Sequence, residues 1–235
     1  MATRKEWICT ALDSAGGQRV QGSPTVAVPM GIADRAKLWK KDTAIRLRFI
    51  GEDPALHQRV LASARAWLVD GVRLDMRLAE TDEDAELRIG FNRADGSWSY
   101  IGTDNLSILP SQPTMNLGWA ALDTPQDDFD SVVIHEFGHA LGLLHEHNHP
   151  EALIRWNKPA VYQDLGGPPN RWSKAAIDSN VFARFDASTV ITTDFDHASV
   201  MIYTIPAHWT MDGRSFMPSP RLSPGDAGTI RRLYA

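Results

Sequence analysis

His135-Glu136-Phe137-Gly138-His139-Ala140-Leu141-Gly142-Leu143-Leu144-His145 decides how the rest of this chain is read. Residues four apart on an α-helix share a face, so His135 and His139 can offer imidazole nitrogens to one ion from one rigid element. A third ligand six residues further along a straight helix would lie about 9 Å up the axis and miss that ion. The helix therefore has to end between His139 and His145. Gly142 stands where the break is needed, because glycine enters the left-handed backbone region that turns a chain back. Three neutral imidazoles suit Zn2+ and leave a coordination position open, which is the pattern of a catalytic rather than a closed structural zinc. Glu136 follows the first ligand directly and so projects beside the metal, where it can take a proton from water and pass it to a leaving amine. An isolated H-E-x-x-H pentapeptide arises by chance in many helices, but Gly142 and His145 at their offsets make this one specific. His147 and His149 do not fit the spacing and read as surface histidines or as groups that orient the site.

Working outward, Asp127, Asp128 and Asp130 suit the N-terminus of the helix whose apolar stretch, 132–144, carries the histidines. Upstream, Ile45, Leu47 and Phe49 alternate with Arg46 and Arg48 as a half-buried strand requires. Asp53-Pro54 opens a helix running to about Val69 on the spacing of Leu56, Val60, Leu61, Ala64, Trp67 and Leu68. Gly71 breaks it, and strands follow at 72–78 and 86–91, with 97–101 and 114–119 as a further strand or sheet edge. Strand, helix, strand, strand is a mixed α/β layer. Beyond Pro150 only 173–182 and 223–233 look helical, the latter opened by Ser223, Pro224 and Asp226. Residues 1–30, rich in Gly, Ser, Pro and Thr, read as an extended arm rather than a packed unit.

The 235 residues suffice for one large domain or two lobes sharing a cleft. A net charge of −5 with scattered Lys and Arg carries no nucleic-acid footprint. No apolar run approaches the ~20 residues that would span a bilayer, and residues 1–10 lack the apolar core of a signal peptide. The compartment stays open: cytoplasmic if the chain is complete, secreted if a signal has been removed. Cys9 is the only cysteine, which excludes an intrachain disulfide and any zinc site built from several thiolates.

The extended motif resembles that of the metzincins, H-E-x-x-H-x-x-G-x-x-H with a methionine turn downstream. Glu146 after the third histidine resembles the His-Glu pair of the astacins, and Ser199-Val200-Met201-Ile202-Tyr203 resembles their methionine turn. Leu38-Trp39, Ser97-Trp98-Ser99-Tyr100-Ile101-Gly102 and the pairs Leu222-Ser223 and Leu233-Tyr234 are astacin-like too. The resemblance covers about 38–235. Serralysins share the Met and Tyr pattern but usually carry proline after the third histidine and glycine-rich calcium repeats.

The resemblance implies an α+β zincin fold, with a twisted mixed sheet and the active-site helix in an upper lobe and an irregular lower lobe with a C-terminal helix. The domain boundaries expected are an arm or pro-segment at 1–30 and a catalytic domain at 31–235, divided near 142. It implies a zinc endopeptidase acting on protein or peptide as a monomer, with no nucleic-acid or membrane partner. Met201 becomes an apolar floor under the histidines, and Tyr203 a fifth zinc ligand that swings to the oxyanion. The segment 114–119 becomes the sheet edge that pairs with substrate, or a plain core strand. Glu146, which in astacins meets the matured N-terminus, here follows an arm of ~30 residues and is left to stabilise the lower lobe. Astacin disulfides are missing, and His147-Asn148-His149-Pro150-Glu151 replaces an Arg- and Asp-rich stretch, as in a divergent relative. Cys9 is either a small packed thiol or a latch on the open zinc position, a task the resemblance gives to an aspartate, for which Asp13 and Asp34 compete. Two other functions remain: a non-catalytic zinc-binding module, and a zinc hydrolase of non-peptide substrates.

Overall fold

The computed structural model describes residues 10–12, 31–51, 53–80, 85–168, 170–192 and 194–235. Alternation in the first strong strand produces β3 (Thr43–Phe49), with Ile45 and Leu47 fully buried. Asp53 accepts the Ala55 amide and caps α1 (Pro54–Ala64). That helix is shorter than its periodicity suggests, because its last turn tightens into a 3-10 segment, Arg65–Trp67. The remaining strands of the layer are β4 (Leu74–Leu78), β5 (Leu87–Gly90), β6 (Ser97–Tyr100) and β7 (Met115–Leu117). Their order is β6-β7-β5-β3-β4, with β3 parallel to β4 and β5, β5 parallel to β7, and β6 antiparallel to β7. A sixth strand, β1 (Thr10–Leu12), lies parallel to β6 on its outer edge, so part of the expected free arm belongs to the sheet.

The register puts Leu47, Leu87, Ile89, Met115, Leu117 and the small Ser97 and Ser99 on one face. There α1 and α2 (Gln126–Ala140) cover them with Leu56, Val60, Phe129, Val133 and Phe137. The Trp67 indole is fully buried and donates to the Ile134 carbonyl at 2.8 Å, tying the end of α1 to the middle of α2. Strand β7 lies inside the sheet between β6 and β5, so of the two expectations for 114–119 the core strand holds and the sheet edge does not. All three of its residues are buried, the polar Asn116 by donating to the Asn92 and Gly96 carbonyls.

After α2 the backbone becomes irregular around a second core. It is built from Val161 and Leu165 of α3 (Lys158–Gly166), Ile177 of α4 (Lys174–Ile177), Val181, Tyr203, Ile205 and Trp209. Helix α3 corrects the expectation of only two helical stretches beyond Pro150. A π-helical turn, Asp178–Phe182, continues α4. Two short strands, β2 (Ile32–Ala33) and β8 (Ile191–Thr192), pair antiparallel, and β2 also bonds the chain leaving α2 through Asp34 N to Gly142 O and Leu144 N to Ile32 O. The closing helix α5 (Pro224–Tyr234) starts with a capping box between Ser223 and Asp226. Among the described residues no helix is long and apolar enough to cross a membrane.

Candidate metal centre

Helix α2 ends at Ala140, and Gly142 follows with φ of 95° in the left-handed region. A side chain there would also strike Leu38, since an added Cβ would lie 2.9 Å from its Cδ2. The helix end is tied off from both directions along the chain. The Trp39 indole donates to the Ala140 carbonyl at 2.7 Å, and the Tyr234 hydroxyl donates to the Leu141 carbonyl at 2.6 Å. Carbonyls left without partners at a helix C-terminus are thereby satisfied. This gives the Leu38-Trp39 and Leu233-Tyr234 pairs a physical role that their sequence does not disclose.

The turn brings His135, His139 and His145 together, with one ligand atom of each within 4.8 Å of the others. His135 Nδ1–H donates to the Val200 carbonyl at 2.7 Å and His139 Nδ1–H to the Leu143 carbonyl at 2.9 Å. Each bond selects the tautomer whose Nε2 lone pair faces inward. His139 Nε2 and His145 Nε2 then lie 3.0 Å apart. Burial holds His135 down at a pKa of about 4 and depresses His139 and His145 well below the usual histidine value, with repulsion from neighbouring histidines adding to it for the latter two. All three are therefore neutral at pH 7, as lone-pair donors must be. Three converging imidazole nitrogens, buried and neutral, fit a metal ion.

Glu136 lies on α2 between His135 and His139 and is 1% exposed. Gly138, two residues on, went unremarked in the sequence. A Cβ there would sit 2.3 Å from Met201 Sδ and 2.9 Å from the Trp67 ring, so its absence lets the methionine slide under the helix. A glycine inside a helix costs about 1 kcal/mol against alanine, and that cost is the signal which could have flagged it. Burial of Phe129 and Phe137 on the same helix, at roughly 1.5–3 kcal/mol each, more than offsets it.

Met201 packs in the upper core and Tyr203 in the lower one, so the turn between them spans both. Asp226 fixes that turn: it accepts from Ser199 Oγ at 2.6 Å and from the amides of Val200 and Ser223 at 2.9 Å each. Burial raises the Asp226 pKa, and these three donors oppose the rise. Glu146 joins the same structure, its amide donating to Met201 O at 3.0 Å and its carboxylate accepting the Asp196 amide at 2.8 Å. Burial, with Asp226 and Asp196 nearby, pushes its pKa up to about 8.

Tyr203 packs against the His145 ring, with centroids 4.3 Å apart. His147 and His149 are each 1% exposed, which corrects their reading as surface residues. Asp34 caps the 3-10 turn Arg35–Lys37, accepting the Ala36 amide at 3.0 Å. Cys9 and Asp13 lie outside the described residues.

The family model of the astacin peptidases matches residues 31–158. The solved structure of myroilysin is 35% identical with a TM-score of 0.82, and the alignment covers 87% of this chain and 98% of that one. A crystal structure of myroilysin is 34% identical at a TM-score of 0.65, covering 85% and 86%. High choriolytic enzyme 1, a hatching enzyme zinc-protease from the medaka fish Oryzias latipes, shares the fold at a TM-score of 0.58 and 17% identity, over 85% of this chain and 94% of that one. Probable matrix metalloproteinase 095L of Invertebrate iridescent virus 3 is 33% identical over 101 residues, 36% of this chain and only 27% of that protein's length.

Proposed function

The chain belongs to the astacin family of peptidases, and on that premise we propose that it is a zinc-dependent endopeptidase hydrolysing peptide bonds in proteins. The arrangement that carries this reading is the tautomer pattern: backbone carbonyls hold Nδ1 of His135 and His139, so that neutral Nε2 atoms converge with that of His145. His135, His139 and His145 would hold the ion, with Tyr203 as a fifth ligand at rest. Bound there, zinc supplies Lewis-acid polarisation of the scissile carbonyl and a nucleophilic water near neutral pH. Glu136 takes the proton of the attacking water on its carboxylate and delivers it to the leaving amine nitrogen. The Tyr203 hydroxyl donates to the oxyanion as the carbonyl becomes tetrahedral. Met201 supports the ligands from below without binding the metal.

Residues 1–30 act, on the same reading, as a pro-segment. Strand β6 packs against α2, and its outer hydrogen-bonding edge is occupied by Thr10–Leu12. An extended substrate that paired with that edge would have to displace them. The experiment that tests the function incubates metal-analysed protein, as the full chain and as a chain starting at Gly31, with a mixed peptide library and reads the products by mass spectrometry. Internal cleavages at one zinc per chain are expected. Zinc-loaded protein that cuts nothing in either form would return the chain to a zinc-binding module, and attack on ester or amide substrates alone would make it a different hydrolase.

A further inference from the structure

His147 is the buried histidine of the 145–149 segment whose ring, tilted, lies nearest the side chain proposed to stabilise the oxyanion. Its ring lies 4.1 Å from that of Tyr203 at an interplanar angle of 32°, while His145 meets Tyr203 at 4.3 Å and 64°. Tyr203 thus packs in one cluster with two imidazoles whose own ring centroids lie 5.3 Å apart, of which one is a proposed metal ligand and the other is not. The Trp156 ring closes the far side of His147, edge-on at 6.3 Å.

A hydrocarbon ring would fill this place more cheaply. His147 Nε2–H donates to the Asn180 carbonyl at 3.0 Å, which leaves Nδ1 a buried lone pair with no hydrogen-bond partner among the described residues. A buried acceptor left unsatisfied is unfavourable, and a phenyl ring would avoid that cost. What the phenyl ring lacks is the bond to Asn180. That carbonyl belongs to the π-helical turn Asp178–Phe182, itself fixed by Asn180 Nδ2 donating to Ala176 O at 2.8 Å and by the Ala183 amide donating to Asp178 O at 3.0 Å. A hydrogen-bonded turn therefore holds one edge of His147, and the His147 ring packs against Tyr203.

We infer that His147 is a positioning residue for Tyr203: tethered to Asn180, its ring fixes where the phenol points. The inference rests on the role proposed above for Tyr203. A phenol oxygen misplaced by about 1 Å forfeits up to ~100-fold of its contribution to the transition state while substrate binding is little changed.

The test compares His147→Phe, which keeps the ring and loses the tether, with Tyr203→Phe and the double variant, and uses His147→Gln should the phenyl variant fail to fold. Each is measured for zinc content, for kcat and KM on a peptide the wild type cleaves, and for the visible spectrum after loading with Cu(II), where a coordinated phenolate gives a charge-transfer band. Expected are one zinc per chain, a kcat lowered about tenfold at unchanged KM, and a shifted or weakened phenolate band. The double variant should be no slower than Tyr203→Phe alone, since a residue acting only through Tyr203 has nothing left to position. Multiplicative losses in the double variant, or kinetics and a copper band that His147→Phe leaves untouched, would overturn the inference while leaving the peptidase reading intact. Tyr203→Phe kinetics equal to wild type would overturn it as well. A wild type that cleaves no peptide yet shows the phenolate band would sink the proposed function and leave the band to judge His147; absence of both would sink the two together.

Discussion

The two halves of the metal centre are held by different kinds of force. His135, Glu136 and His139 stand on one helix whose opposite face is buried against a sheet, so their positions follow from helical period and close packing. His145, Met201 and Tyr203 stand on irregular backbone, and there the positions come from side chains bonding main chain: Asp226 on Val200, Glu146 on Asp196, Asn148 on Ala183 at 2.6 Å. A half built by packing should be sensitive above all to side-chain volume. A half built by buried polar bonds should be sensitive to the loss of a donor or acceptor and to protons.

The largest effects expected separate chemistry from ligation. Glu136→Ala should keep about one zinc per chain while hydrolysis falls at least ~100-fold, because the proton carrier is lost and the ligands are not. His145→Ala should lose zinc and activity together. Metal analysis beside initial rates decides both: zinc loss in the first variant would void the role of Glu136, and full retention in the second would remove His145 from the ligand set. Next, Gly138→Ala should destabilise by about 1–3 kcal/mol through overpacking against Met201 and Trp67. Denaturant midpoints measure it, and the loss should shrink when Met201→Ala makes room. An unchanged midpoint would mean that the upper half is less tightly packed than its geometry implies.

In the lower half Asp226→Asn should cost about 1–2 kcal/mol, because an amide NH2 must then face one of three converging donors. A neutral result would show that the turn holds without its carboxylate. The last expected effect is a dependence on pH rather than a loss at fixed pH. Glu146 has a folded-state pKa raised to about 8 from a usual 4.5, so the folded protein keeps a proton that the unfolded chain releases. Its contribution to stability is present below pH 4.5 and is lost as pH rises through about 8. Glu146→Gln should flatten that decline in metal-free protein, compared by urea unfolding at about pH 6 and about pH 9. Parallel declines would assign the pH dependence elsewhere.

The same contrast explains what could be read from the sequence. Strand β3, helix α2, the break at Gly142 and the capping box of α5 each carry a local signal, of period, left-handed glycine or cap chemistry. Helix α3 carries almost none, burying only Val161 and Leu165, and strands β2 and β8 are two residues each. For His147 the burial comes from Asn180, Trp156 and Tyr203, well separated along the chain, so nothing beside it announces an interior residue. The ligands were legible because one helix and one turn place them, whereas their supports come from distant segments.

The bond from Tyr234 to the Leu141 carbonyl spans 93 positions of the chain. During synthesis, His135, His139 and His145 leave the ribosome within eleven residues of one another, long before the residue that closes the turn between them exists. Possession of the three histidines and the ability to hold them together are thus separated in time, and a nascent chain carries the whole motif well before it carries the residue that closes the turn within it.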